Sequence, residues 1–266
     1  MNQSMNEFEL NLTSSSSFTL QTWSGEMYDF HGGCDLVMVS NPDFNNGQGL
    51  YIHVRTKIYR WWSSIESAAL RIGDDVLEVR AGIEDRRWWL NGKEGHKYLT
   101  SRNLDFTVGG FGGRYRKKSD HVIQYKINLP DDQSVTIRSI KDMLRVELEG
   151  CDNRDFGQSL GLMGGFGSGA LLGRDGKTVF NDTDAFGMEW QVNDKDPQLF
   201  HELDGVQFPE QCVMPNPESS TSRRRLSATV NQATAEKACG HVPKGDFKNC
   251  VFDVIAMDDV SAAEGY

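Results

Sequence analysis

The stretch "GLYIHVRTKIY", residues 49–59, alternates apolar and polar side chains. In an extended chain, the even-numbered side chains from Ile52 to Ile58 lie on one face and the odd-numbered ones from His53 to Lys57 on the other. A period of two with one apolar face predicts a half-buried antiparallel strand.

Similar strand patterns surround this stretch. The apolar run "CDLVMVS" at 34–40 precedes it, and residues 68–82 and 121–140 predict hairpins that turn at 73–75 and 130–132. Residues 142–150 add a further alternating strand. Many short strands with polar turns predict a mainly β fold, an antiparallel β-sandwich or open barrel, rather than alternating βαβ units.

The composition changes after residue 212. Residues 215–232 contain prolines and many serines and threonines without an apolar period, which favours a flexible linker. Residues 233–266 have apolar side chains at helical spacing and predict a small helical segment. Within the linker, Arg223, Arg224 and Arg225 form a basic run that is either a protease cleavage site or a solvated group of charges.

Charge and hydropathy limit the possible partners. The net charge of −10 argues against nucleic-acid binding, and the sequence contains no apolar run long enough to span a membrane. The N-terminal residues lack the pattern of a signal peptide, so the chain is either cytosolic or a fragment of a longer secreted protein.

The glycine-rich stretch at 164–178 is not a nucleotide-binding motif. The P-loop spacing would require glycine where Leu171 stands, and the dinucleotide fingerprint would require glycine at Ala170. The glycines therefore need a structural explanation.

Three segments in order resemble the von Willebrand factor type D (VWD) domain. "LQTWSGEMYDFHGGCDLVMVS" at 20–40 resembles the opening of that family, in which an aromatic turn leads into Tyr-x-Phe-x-Gly-x-Cys. "GLMGGFG" at 161–167 and "FGMEWQV" at 186–192 resemble its later glycine and Phe-Gly-x-x-Trp-x-Val motifs. The resemblance covers residues 18–212, so the chain divides into a disordered lead (1–17), a VWD-like domain (18–212), a linker (213–232) and a helical extension (233–266).

This resemblance implies a disulfide-bonded, extracellular module. It implies a bridge between Cys34 and Cys212, with Cys239 and Cys250 forming a second pair in the extension. Cys151 then remains, either as a buried thiol, which is favoured, or as a link to a second chain.

The family's calcium site is altered in this sequence. The positions that carry its ligands are occupied here by Ser24, Gly165 and Gly167, which remove three side-chain ligands. We therefore predict no cofactor, and the alternative is a weak, rebuilt calcium site. Its candidate ligands, which are otherwise turn residues and helix caps, are Asp175, Asn181, Asp182 and Asp184.

The histidines and carboxylates form no catalytic signature. The six histidines are far apart in sequence, and on a strand a solvated or hydrogen-bonded imidazole is the default for His53. The pairs at 74–75 and 131–132 fall at turn tips, where a desolvated acid–base pair is not expected. A hydrolase remains an alternative, with its site assembled from distant residues.

Two tryptophan pairs, Trp61-Trp62 and Trp88-Trp89, are candidates for a binding surface. On a strand, one ring of each pair would enter the core and the other would be exposed to bind a sugar or a protein. The favoured interpretation is that loops cover the rings.

These observations predict a non-enzymatic extracellular module that acts in adhesion, matrix assembly or protein contact, as the resemblance implies. Its expected partners are extracellular proteins or glycans, and self-assembly is possible by the same resemblance. A carbohydrate-binding domain that uses the tryptophans is the first alternative, and the hydrolase is the second.

Overall fold

The computed structural model describes residues 12–13, 19–59, 62–82, 87–95, 101–110, 122–201, 211–215 and 230–266. At its centre, strand β5 (Leu50–Tyr59) pairs with strand β6 (Trp62–Ile72) along its whole length, from Leu50 opposite Ile72 to Tyr59 opposite Trp62. The alternating pattern at 49–59 thus forms the expected antiparallel strand.

The remaining strands in the described residues are β1 (Leu12–Thr13), β2 (Thr19–Gln21), β3 (Met27–Asp29), β4 (Asp35–Asn41), β7 (Asp75–Arg80), β8 (Trp88–Leu90), β9 (Lys93–Glu94), β10 (Asp105–Gly110), β11 (Val122–Asn128), β12 (Ser134–Ile140) and β13 (Met143–Glu149). Helical segments span Phe44–Gly47, Asn153–Phe156, Thr183–Glu189, Gln232–Ala238 and Phe247–Met257, with 3-10 turns at Cys239–His241 and Val260–Gly265. None of these described helices is long and apolar enough to cross a membrane.

The main sheet is antiparallel throughout and forks at β6. One edge of β6 pairs with β5, while the other pairs with β13 at Ile65 and with β7 from Ser67 onward. In the branch that starts at β13 the strand order is β13-β12-β11-β10, and in the branch that starts at β7 it is β7-β8-β9. The fork curls the sheet into a half-barrel, which confirms the predicted mainly β, open antiparallel class.

The core lies inside the curl. Ile52, Leu70, Leu77 and Leu90 stand opposite one another on four neighbouring strands, and all are buried. Residues that are directly paired share one face of a sheet, so this row continues the apolar face of the 49–59 pattern across the sheet.

The second face of β5 is also covered, which the sequence did not predict. His53 on this face is only 1 % exposed, and the expectation of a solvated or hydrogen-bonded imidazole is wrong. We call residues 192–201 the cover segment, because Val192 pairs with the edge of β4 and the residues after it reach this face. The Phe200 ring is 4.3 Å from the Arg55 guanidinium, and the backbone N–H of His201 donates to Glu78.

The glycine-rich region protects the free edge of β4. The N–H of Leu162 donates to the carbonyl of Val37, and Ser40 exchanges backbone hydrogen bonds with Leu160. A Cβ atom on Gly161 would lie 2.3 Å from the carbonyl oxygen of Met38, so only glycine allows this close approach. Within the 164–178 stretch, a Cβ atom on Gly164 would likewise lie 2.6 Å from the carbonyl oxygen of Ala170, so this glycine too allows close backbone packing.

Arg174, also in this region, holds the cover segment in place. Its guanidinium donates to the carbonyls of Glu189 and Gln191 and forms an ion pair with Asp196 at 2.8 Å. Three charge-assisted hydrogen bonds from one side chain fix the path of this segment.

The C-terminal helices form a second small core around the Cys239–Cys250 bridge and pack on the outer face of β13. Arg145 of β13 is buried there, with Glu147 at 2.8 Å, Asp246 at 3.2 Å and the Tyr266 ring at 4.2 Å. This network attaches the helical extension to the sheet.

Two predicted segments lie largely outside the described residues. In the predicted disordered lead, residues 12–13 are described and pair with β13. In the predicted linker, residues 216–229 are not described, whereas Val213 pairs with Gly33 and Val230 bonds to Asp258. The basic run at 223–225 therefore stays a sequence prediction.

Candidate functional site

The three segments that carry the family resemblance pack against one another. The N–H of Trp23 donates to the carbonyl of Met163, and the hydroxyl of Tyr28 donates to the carbonyl of Leu162. The Tyr28 ring also contacts Phe186 edge-on, with centroids 5.6 Å apart. The segments are far apart in sequence but form one packed unit.

Both implied disulfides are present. Cys34 is bonded to Cys212 across 178 residues, and Cys239 is bonded to Cys250 across 11. Cys151 is a free, buried cysteine, and burial raises the pKa of its thiol to about 12. A thiol in this state is a poor nucleophile, which agrees with the favoured structural role for Cys151.

The weak calcium candidates take part in local hydrogen bonds. The Asp175 carboxylate accepts from the backbone of Thr178 and Lys177, which lowers its pKa to about 2. Asp182 caps the helix Thr183–Glu189 by accepting from Ala185, while Asn181 and Asp184 are exposed. Among the described residues, no three histidine, cysteine or acidic side chains are grouped as a metal site.

The tryptophans are mostly covered. Trp62 is 5 % exposed and stacks on Tyr59, and Trp88 is 6 % exposed and faces the core. Trp89 is partly buried on the opposite face, and Trp61 lies outside the described residues. The proposed sugar-binding surface therefore loses Trp62 and Trp88, because a covered ring cannot stack on a sugar.

A buried histidine and a buried glutamate share the covered face of the sheet. His53 and Glu78 both stand opposite Ala69, one on each neighbouring strand, and Glu78 is 2 % exposed. Burial lowers the pKa of His53 to about 4 and raises that of Glu78. The cover segment closes this pair off from solvent, so a substrate could not reach it in this conformation.

The structure contains a polar pocket that the sequence analysis missed. Its volume is about 380 Å³, and it lies where three segments meet, at 41–46, 130–131 and 154–158. The polar lining residues are Asn41, Asp43, Asn45, Asn46, Asp131, Arg154, Asp155 and Gln158, with Phe44 and Pro130 as apolar walls.

The pocket carries an excess of negative charge. Its lining contains three carboxylates and one guanidinium, a net charge of −2. Arg154 forms an ion pair with Asp131 and lies 3.2 Å from Asp155, and these carboxylates raise its pKa. The Asp43 carboxylate makes no hydrogen bond or ion pair with any described residue.

The turn sequences around residues 42 and 131 were the only available signal for this pocket. Asn45, Asn46, Asp131 and Asp132 all have left-handed backbone conformations, which Asn and Asp tolerate better than most residues. That these turns face one another depends on the sheet curvature, which a local pattern does not encode.

Comparison of the sequence with protein-family models and with curated proteins finds no match. The interpretation of these sites therefore depends on their geometry and on the motif resemblance.

Proposed function

We propose that this protein is a non-catalytic extracellular module that works by protein contact, in adhesion or matrix assembly, as VWD domains do. The observation that carries the proposal is the Cys34–Cys212 bridge, which lies beside the unit formed by the three family-like segments. Long-range structural disulfides are typical of proteins that fold in an oxidising compartment.

The bridge ties the end of the β domain to its first long strand. Cys34 precedes β4, and the N–H of Gly33 donates to the carbonyl of Val213, next to Cys212. In the chain-entropy description, closing a loop of this length stabilises the fold by about 5 kcal/mol, whereas the short Cys239–Cys250 loop contributes about 3 kcal/mol. A scaffold constrained in this way can present rigid loops to a partner.

The buried acid–base candidates on the covered face of the sheet are not accessible, which fits a contact role better than catalysis there. His53 and Glu78, two of the buried groups with shifted pKa values, are closed off by the cover segment. The pocket at 41–46 is open but contains no histidine.

The first test is non-reducing peptide mapping by mass spectrometry on protein secreted from a eukaryotic host. We expect a peptide linking Cys34 to Cys212 and a second linking Cys239 to Cys250, with Cys151 unmodified. Free thiols at all five positions would contradict an extracellular role.

The second test measures contact directly. The oxidised protein should bind saturably to a decellularised matrix preparation, and the double variant Cys34→Ala/Cys212→Ala should lose most of this binding. The double variant Cys239→Ala/Cys250→Ala is the matched control, because it removes the other bridge. Equal binding by both variants, or no saturable binding by the native protein, would argue against the contact function.

A further inference from the structure

The pocket at 41–46, 130–131 and 154–158 has properties that point to a ligand. Asn41 lines it at the end of β4 and is 1 % exposed, yet its Oδ1 atom has no hydrogen-bond partner. Its Nδ2 donates to the carbonyl of Asp155 at 2.7 Å, which fixes the orientation of the amide. A buried acceptor without a donor costs free energy, so a ligand that supplies a donor would be favoured here.

The charges define what kind of donor fits. Besides the acceptor on Asn41, the pocket contains the exposed Asp43 carboxylate, which forms no ion pair with any described residue. Among the same residues, Asp131 forms an ion pair only with Arg154. Arg154 in turn lies within 3.3 Å of Asp152 and Asp155. The Arg154 guanidinium is thus close to three carboxylates and neutralises only one of their negative charges. The remaining negative charge would attract a second cation.

The shape of the pocket also selects the ligand. A volume of about 380 Å³ exceeds what a bare metal ion needs, and no group of three acidic side chains among the described residues is close enough to hold one. The apolar walls, Phe44 and Pro130, suit the aliphatic stem of a long side chain that carries its charge at the tip.

We propose that this pocket receives a cationic side chain, arginine above all, from a partner protein. The guanidinium would donate to the Asp43 carboxylate and to the free acceptor of Asn41, since a planar fork of donors matches oxygen acceptors of this kind. This inference rests on the proposed contact function and assigns to it the part of the surface that recognises the partner.

The test is an NMR titration of isotope-labelled, oxidised protein with the acetylated and amidated tripeptide glycine-arginine-glycine. The signals to follow are the backbone amides of Asn45 and Asn46 and the side-chain Nε of Arg154. We expect saturable shifts at these positions. The same peptide with citrulline, which has the shape of arginine without its charge, should produce much smaller shifts.

Two variants should change the affinity in opposite directions. Asp43→Asn removes a ligating carboxylate and should weaken binding about fivefold, the factor that corresponds to about 1 kcal/mol for an exposed ion pair. Arg154→Gln removes the resident cation and should tighten binding by about the same factor.

The matched controls are Asp74→Asn and Arg102→Gln, which change the net charge identically at exposed positions outside the pocket lining. Each should bind the peptide like the native protein. The proposal is overturned if the pocket signals do not shift, if citrulline binds as well as arginine, or if the controls match the pocket variants. It is equally overturned if methyl glucoside or calcium chloride shifts the pocket signals and arginine does not.

The two proposals can fail separately. If the disulfides form and the protein binds matrix but arginine does not shift the pocket signals, only the pocket assignment is wrong. If the thiols are free and matrix binding is absent, the contact function is lost whatever the pocket binds.

Discussion

Replacing His53 by leucine should remove a specific acid sensitivity of the fold. The His53 imidazole is almost fully buried, and neither ring nitrogen has a hydrogen-bond partner. Burial lowers its pKa from 6.5 to about 4; Asp196 opposes this effect, while Arg71 and Arg174 add to it. The folded protein therefore keeps the imidazole neutral at pH values where the unfolded chain protonates it.

The size and sign of the effect follow from this difference. Below pH 6.5 the unfolded chain protonates His53, whereas the folded protein keeps it neutral until the pH approaches 4. The free energy of unfolding therefore falls as the pH falls from 6.5 to about 4. At 1.36 kcal/mol per pKa unit, the full loss is about 3 kcal/mol. Above pH 6.5, and again below about pH 4, this residue should add no further pH dependence.

The assay is urea denaturation of the native protein and the His53→Leu variant at a series of pH values across this window. The difference between their free energies of unfolding should grow by about 3 kcal/mol as the pH falls from 6.5 to about 4. His241→Gln, at an exposed histidine, should keep the native pH dependence. Parallel curves for the native protein and His53→Leu would refute the reasoning.

Three further substitutions or reactions test the packing. Glu147→Gln removes the closer of the two carboxylates paired with the buried Arg145, and also the partner of Arg138, and should lower the free energy of unfolding by about 3 kcal/mol, measured by denaturation. Gly161→Ala should cost about 2 kcal/mol or more because its Cβ would meet the β4 backbone, whereas Gly240→Ala, with open space around it, should be near neutral. Cys151 should react with iodoacetamide only after unfolding, since its buried thiol has a pKa of about 12; rapid modification of the folded protein would contradict this.

The strands that the sequence predicted each have a local signature. The period of two at 49–59 predicted the position and the core face of β5, and the turn sequences predicted the two hairpins, β6–β7 and β11–β12. The turn at Asp131-Asp132 uses left-handed backbone at both positions, which Asp accommodates. Strand periodicity and turn preference depend only on residues that are close in sequence, so they can be predicted from a local pattern.

Features that depend on distant segments were missed. Asp75 was taken as a turn tip, but it begins β7 and is largely buried, where it accepts hydrogen bonds from Asn91, Ser101 and Asn103. These partners follow it by 16 or more residues. The prediction of a solvated or hydrogen-bonded imidazole for His53 was wrong because its cover comes from residues about 140 positions later, which β5 itself does not signal.

The bridge and the buried histidine act on the same part of the molecule. The cover segment begins where the N–H of Val192 donates to Asp35, next to Cys34, and the chain that continues from its end returns to Cys34 through Cys212. Both ends are thus anchored at the start of β4, which limits how far the cover can move when His53 is protonated. Removing the bridge would release one anchor, so the effects of bridge loss and of His53 protonation are not expected to add. Stability at low pH should therefore depend on the Cys34–Cys212 bond more strongly than stability at neutral pH.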